Sequence, residues 1–110
     1  MKNGIRWAVR DRYGNQIYLT EERWQHITEE INHPEMLDYE HELQMTIRWA
    51  VRKQDTLNSQ KYRYSMAFDE LADDNTHIIA IVLFRFRESN GQKPTPNNYI
   101  VTAYQKEIWW

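Results

Sequence analysis

The sequence predicts an α+β domain in the order ββααβββ: a β-hairpin, two helices, then a three-stranded antiparallel sheet. Three observations predict it. Apolar residues recur at three- and four-residue spacing between about residues 20 and 52, they alternate in twos from residue 62 onward, and short turn-rich segments separate the runs. No Pro/Gly/Ser-rich stretch divides the chain, so residues 1–110 form a single domain.

Residues 5–11 and 16–19 are β-prone runs separated by Arg12, Tyr13, Gly14 and Asn15, where Gly and Asn supply hairpin turn conformations. Thr20 then offers a helix N-cap, and Glu21 and Glu22 suit the positive end of the helix dipole. Trp24, Ile27 and Ile31 form the buried stripe of this first helix. Asn32, His33 and Pro34 stop it, because the residue before Pro disfavours helical backbone. A second helix runs from about Pro34 or Asp38 to Arg52 with the stripe Leu43, Ile47, Ala50 and Val51, and the polar residues 54–60 read as a loop.

Beyond the loop, Tyr62, Tyr64, Met66 and Phe68 alternate with Arg63, Ser65 and Ala67 as in a strand. Asp73, Asp74 and Asn75 mark a turn. Residues 77–87 are nearly continuous in β-branched and aromatic side chains, as in a central strand covered on both faces, and turn polar at Arg85 and Arg87. Residues 88–98, rich in Gly, Pro and Asn, read as a loop. Residues 99–106 form the last strand, with Ile100, Thr102 and Tyr104 on one face and Tyr99, Val101 and Ala103 on the other. The hexapeptide Ile-Arg-Trp-Ala-Val-Arg occurs at 5–10 and again at 47–52, once in a predicted strand and once in a predicted helix. Its flanks do not match, so it is not a structural repeat.

The chain has no cysteine, which excludes disulfides, thiolate zinc sites and a cysteine nucleophile, and points to the reducing cytoplasm. No apolar stretch suits a signal peptide or membrane span. The net charge of −2 argues against a uniformly basic coat for nucleic acid, but the charge is unevenly placed. Acidic residues crowd positions 21–42, whereas Arg48, Arg52, Lys53, Lys61 and Arg63 follow with only Asp55 among them.

Two sets of residues can carry chemistry. Arg23 and His26, three apart on the first helix, project from one face and can converge on a ligand, although a surface or capping role suits them as well. His33, at a helix end before Pro34, suits a structural role. If Lys61, Arg63 and Ser65 share a sheet face with Arg85, Arg87, Thr102 and Lys106, that face has the cations and hydroxyls to hold a phosphodiester; an ordinary solvated face is the plain alternative. Phosphate-loop, dinucleotide, zincin and hydrolase-elbow motifs are missing. The histidines at 26, 33, 41 and 77 lack zinc-ligand spacing, so no metal or other cofactor is expected.

Three segments carry a family resemblance: Leu19-Thr20-Glu21-Glu22-Arg23-Trp24-Gln25-His26-Ile27, then His33-Pro34-Glu35, and Tyr99-Ile100-Val101-Thr102-Ala103-Tyr104 at the end. Together they resemble the small nucleases of the barnase–EndoU–colicin–RelE superfamily, in its phage- and mobile-element-associated branch. The resemblance implies a RelE/barnase-like fold and metal-independent RNA cleavage by attack of the ribose 2′-hydroxyl on the adjacent phosphate. By position it implies His26 as the acid–base group, Arg23 as a phosphate clamp, and Thr102 and Tyr104 as substrate-orienting groups, with Lys61, Arg63, Arg85 and Arg87 added from composition as RNA contacts. It also implies a toxin of a toxin–antitoxin or mobile-element system, whose partners are RNA and an antitoxin protein. Where such proteins often carry a polar, basic or glycine-containing segment after the second helix, this chain has the apolar Trp49, Ala50 and Val51. A catalytically inactive interaction module of the same fold therefore stands as the second expectation, associating through its terminal Trp109 and Trp110, since aromatic residues are enriched at buried interfaces.

Overall fold

The structure, a computed structural model, describes residues 4–109 apart from the side chain of Ser89. The predicted hairpin forms as β1 (Ile5–Arg10) and β2 (Gln16–Thr20), with Gly14 at a φ of 86° in the turn, a region open to Gly without steric cost. α1 (Glu21–Thr28) follows at once. The Thr20 side chain accepts the Arg23 amide at 3.0 Å, closing one of the open N–H groups of the first turn.

α1 ends three residues earlier than the stripe suggests, and Ile31 is 86% exposed instead of buried. The reason is local. The Asn32 side-chain amide donates to the His26 carbonyl at 2.8 Å, and the His33 amide donates to the Ile27 carbonyl at 2.9 Å, so the final carbonyls are satisfied without a further helical turn. A 3-10 turn at Pro34–Asp38 seats Met36 in the core, and α2 spans Glu40–Trp49.

The second helix also stops short of the predicted Arg52. Ala50 leaves helical geometry at a ψ of 151°, and Val51–Gln54 pairs antiparallel as β3 with β4 (Lys61–Ala67). The predicted ββααβββ order is thus corrected by one extra strand. β5 (His77–Ser89) and β6 (Gln92–Lys106) form a long hairpin through the segment expected to be a loop. The six strands make one sheet in the order β1-β2-β6-β5-β4-β3, antiparallel except for the short β2–β6 pairing at Ile17–Asn98 and Tyr18–Tyr99. Among the described residues no helix is long and apolar enough to cross a membrane.

Both helices cover one face of this sheet. Trp24, Ile27, Leu43 and Ile47 pack with Ile17, Leu19, Tyr64, Ile78, Ala80, Val82, Ile100 and Ala103 in a single core. β6 reaches that core through a bulge: its register shifts between Ile81 and Val82, so Ile100 and Ala103 both point inward. The expectation that Ile100 shares a face with Thr102 and Tyr104 is corrected by this one-residue slip, which puts Thr102 and Tyr104 on the outer face with Tyr99.

Two polar clusters pin the layers. Arg6 on β1 pairs with Glu40 of α2 and, at 2.9 Å, with Glu21 of α1, while the Trp7 indole donates to Glu40 at 2.7 Å. The hydrogen bond from Arg6 outweighs the cost of partial burial and holds the Glu40 carboxyl below its usual range. At the opposite end, the buried Asp11 accepts the Tyr13 and Asn15 amides at 2.9 and 2.8 Å and also the Tyr64 hydroxyl of β4. Arg52 of β3 lies 3.7 Å from Asp11 inside a ring of Tyr13, Tyr62 and Phe84, each within 5.0 Å of its guanidinium carbon. The β1–β2 turn and the β3–β4 pair sit at opposite ends of the strand order, so this contact requires the sheet to curl.

Candidate nucleic-acid interface

The outer face of the sheet is read from the strand registers, since directly paired residues project to the same side. Each row crosses β4, β5 and β6 in turn. Lys61 lies beside Leu83 and Tyr99, Arg63 beside Ile81 and Thr102, Ser65 beside Ile79 and Tyr104, and Ala67 beside His77 and Lys106. β3 adds Lys53 next to Arg63, and the distal hairpin adds Arg85 opposite Asn97 and Arg87 opposite Thr95. The predicted cations and hydroxyls therefore do share one face, and Lys53 joins them from a strand the sequence reading missed.

Its charge is one-sided. Among the described residues no strand position on this face is Asp or Glu, although the whole chain is net negative. The acidic residues of α1, α2 and the turn between them belong to the layer on the other side of the sheet. Such separation makes a local positive field that the net charge conceals.

The sequence-derived site residues fall into two groups. Thr102 and Tyr104 are half-buried on β6, about 7 Å apart along the strand. His26 is exposed on α1, its ring 3.8 Å from Glu29, and Arg23 is half-buried on the same helix. Two histidines belong to the outer face: the buried His77, in the row of Ala67 and Lys106, and the half-buried His33, whose ring centroid is 5.5 Å from that of Tyr104 at an interplanar angle of 31°. The His33 Nδ1 lies 3.7 Å from Glu35. In the sequence His33 stood out only by its place before Pro34 and in the segment His33-Pro34-Glu35 of the family resemblance, and its position at a helix end suggested a structural role. Comparison with family models, curated proteins and solved structures gives no match. The site must stand on its geometry.

Two cavities flank the central rows. One, of about 740 Å³, lies between the first hairpin and the distal β5–β6 hairpin and includes Tyr18, Thr20, Arg87 and Asn97. Asn97 Oδ1 accepts both the Tyr18 hydroxyl at 2.8 Å and Arg87 at 3.1 Å, and since Arg only donates, the amide NH2 group is oriented as a donor. The Tyr18 and Tyr99 rings sit 5.9 Å apart beside it. The second cavity lies at the β3–β4 edge among Lys53, Lys61 and Arg63. Among the described residues no group of three or more His, Asp or Glu is placed to hold a metal ion.

Proposed function

We propose that the outer face of the sheet binds single-stranded RNA and cleaves it without a metal. The observation that carries this reading is the register-defined row Arg63–Ile81–Thr102 beside Ser65–Ile79–Tyr104, with the His33 ring against Tyr104. Cleavage by transesterification needs few parts. The 2′-oxygen forms a bond to phosphorus as the bond to the 5′-oxygen breaks, one side chain takes the 2′-hydroxyl proton, another protonates the leaving oxygen, and cations balance the charge of the phosphorane. In this reading Lys61 meets a flanking phosphate and Arg63 lies between it and the one that is cleaved, which Thr102 and Tyr104 orient. His33 takes the 2′-hydroxyl proton as the acid–base group, and the Tyr104 hydroxyl protonates the leaving oxygen. His26 and Arg23, the residues that the nuclease resemblance points to, enter if the RNA chain extends over α1.

Labelled RNA incubated with the protein in EDTA tests the reading. Products ending in 2′,3′-cyclic phosphate are expected, with rate falling about 10²–10⁴-fold in the variant that lacks the acid–base histidine. His33→Ala and His26→Ala side by side assign the role, and no cleavage at high protein concentration rejects it. The role of such a nuclease as a toxin, with RNA and an antitoxin protein as partners, depends on that result.

A second reading, an inactive interaction module, is favoured by Trp109 at 79% exposure and by Trp49 at the end of α2 and Val51 at the start of β3, both more than half exposed. Trp110 lies outside the described residues. A chain ending at Glu107 tests this reading by light scattering: lower mass than the full chain supports it, and equal monomer masses at all concentrations reject it.

A further inference from the structure

The cavity at the β3–β4 edge, about 290 Å³, is lined by Lys53, Lys61, Arg63 and Ile81 on the outer face. Lys53 and Arg63 are direct cross-strand partners, and Lys61 is two residues from Arg63 on the same side. Like charges placed opposite one another in a sheet are destabilising. Among the described residues none of the three is in an ion pair. The cavity's one carboxylate is turned to another task, because Asp55 Oδ2 accepts the Leu57 and Asn58 amides at 2.9 Å each and shapes the 55–60 loop. A lysine on an edge strand can serve to block strand pairing, which would account for Lys53. It does not account for Lys61 and Arg63, which lie on the inner neighbour β4.

We propose that this cavity is a phosphate subsite of the RNA chain and takes a phosphate flanking the one that is cleaved. The proposal rests on the RNA reading of the same face. Lys53 on β3 is three strand spacings from Thr102 on β6, about 14 Å, so one phosphate does not touch both. Ile81 connects them: it lines the cavity and is the direct neighbour of both Arg63 and Thr102, so a chain can pass from one to the other over β5. The favoured ligand therefore carries several phosphates, and the repulsion among the three cations is relieved when one of those phosphates enters.

Three probes that resist cleavage test this: a 2′-O-methyl tetranucleotide with three phosphates, a 2′-O-methyl dinucleoside monophosphate with one, and inorganic tripolyphosphate. The wild-type chain is expected to bind the tetranucleotide about tenfold tighter than the dinucleoside. Its log affinity should also fall more steeply with log salt, by at least about 0.7. Lys53→Ala, and Lys53→Gln at similar stem length, should remove both differences, weaken tripolyphosphate binding and leave dinucleoside affinity within about twofold. A tetranucleotide advantage that survives Lys53→Ala, or is missing from the wild type, overturns the subsite. Lys53-dependent binding of tripolyphosphate without RNA binding keeps the anion site and overturns its assignment to RNA. Binding of none of the probes overturns both.

Discussion

Tyr64→Phe removes a single hydroxyl from the contact that draws the first hairpin onto the far edge of the sheet. That hydroxyl donates to Asp11 Oδ2 and accepts from Arg52 at 3.3 Å. The Asp11 side chain has no exposed surface, so water cannot replace the lost donor. Asn15 Nδ2 remains on Oδ2 at 3.2 Å and the Tyr13 and Asn15 amides remain on Oδ1, which limits the damage. A hydrogen bond to a charged group contributes about 1.5–3 kcal/mol, and with these partners retained a loss of about 2 kcal/mol is expected. At about 4 °C per kcal/mol for a domain of this size, the melting temperature should fall by about 8 °C. Urea unfolding followed by tryptophan fluorescence should show a lower midpoint with an unchanged slope. A loss below about 0.5 kcal/mol would refute the reasoning, since the hydroxyl would then be dispensable to the buried carboxylate. The same hydroxyl adds a test in alkali. Burial, and then the bond to Asp11, raise its pKa above the ordinary tyrosine value. A raised folded pKa means that this stabilisation is complete below about pH 10 and is lost as pH rises further. Wild-type stability should therefore fall more steeply above pH 10 than that of Tyr64→Phe, and parallel curves would contradict the assignment.

The Arg6–Glu40 pair is partly exposed, at 33% and 26% of the two side chains, so solvent screening limits Glu40→Gln to a loss of about 0.5–1 kcal/mol at pH 7. Because the folded pKa of Glu40 is lowered, this difference should be complete above about pH 4.3 and vanish as pH falls further, as melting curves at pH 7 and pH 3 would show. Arg63→Glu should flatten the salt dependence of RNA binding by at least about 0.7 in log–log slope, whereas Glu29→Lys at the C-cap of α1 should leave it nearly unchanged. Equal effects in fluorescence titrations would place the binding face elsewhere. Thr20→Ala should cost about 1 kcal/mol in urea unfolding through loss of the α1 cap, with RNA affinity retained once the protein is folded.

Local signals were legible in the sequence. The first hairpin, the Thr20 cap, the Trp24 and Ile27 stripe and the strand alternation of β4 each depend on residues a few positions apart, and each forms where expected. What failed depends on distant partners. The hexapeptide at 47–52 has the same letters as β1, yet it is split between the last turn of α2 and the first residues of β3, because β4 is available to pair with Val51 and Arg52. Arg52, read as the end of a helix, is instead a half-buried cation among three aromatic rings. Pro94 and Pro96 suggested a loop, but β2 pairs with β6 only at Asn98 and Tyr99, so the prolines lie on an edge where a missing N–H leaves no ladder bond unmade. The shared face of Lys61, Arg63, Thr102 and Tyr104 could be stated as a condition but not resolved, because the β6 bulge that decides it has no local signature. His33 was invisible as a site residue for a similar reason: its neighbour Tyr104 is far away in sequence.

The central claim is that RNA lies on the outer sheet face, and amide chemical-shift mapping of the labelled protein with a 2′-O-methyl oligonucleotide tests it most directly. The expected result is that the largest shifts fall on Lys53, Lys61, Arg63, Thr102, Tyr104 and His33, while the exposed positions of α2 stay unmoved. Shifts confined to the acidic helices or to the Ile108–Trp109 tail would contradict it.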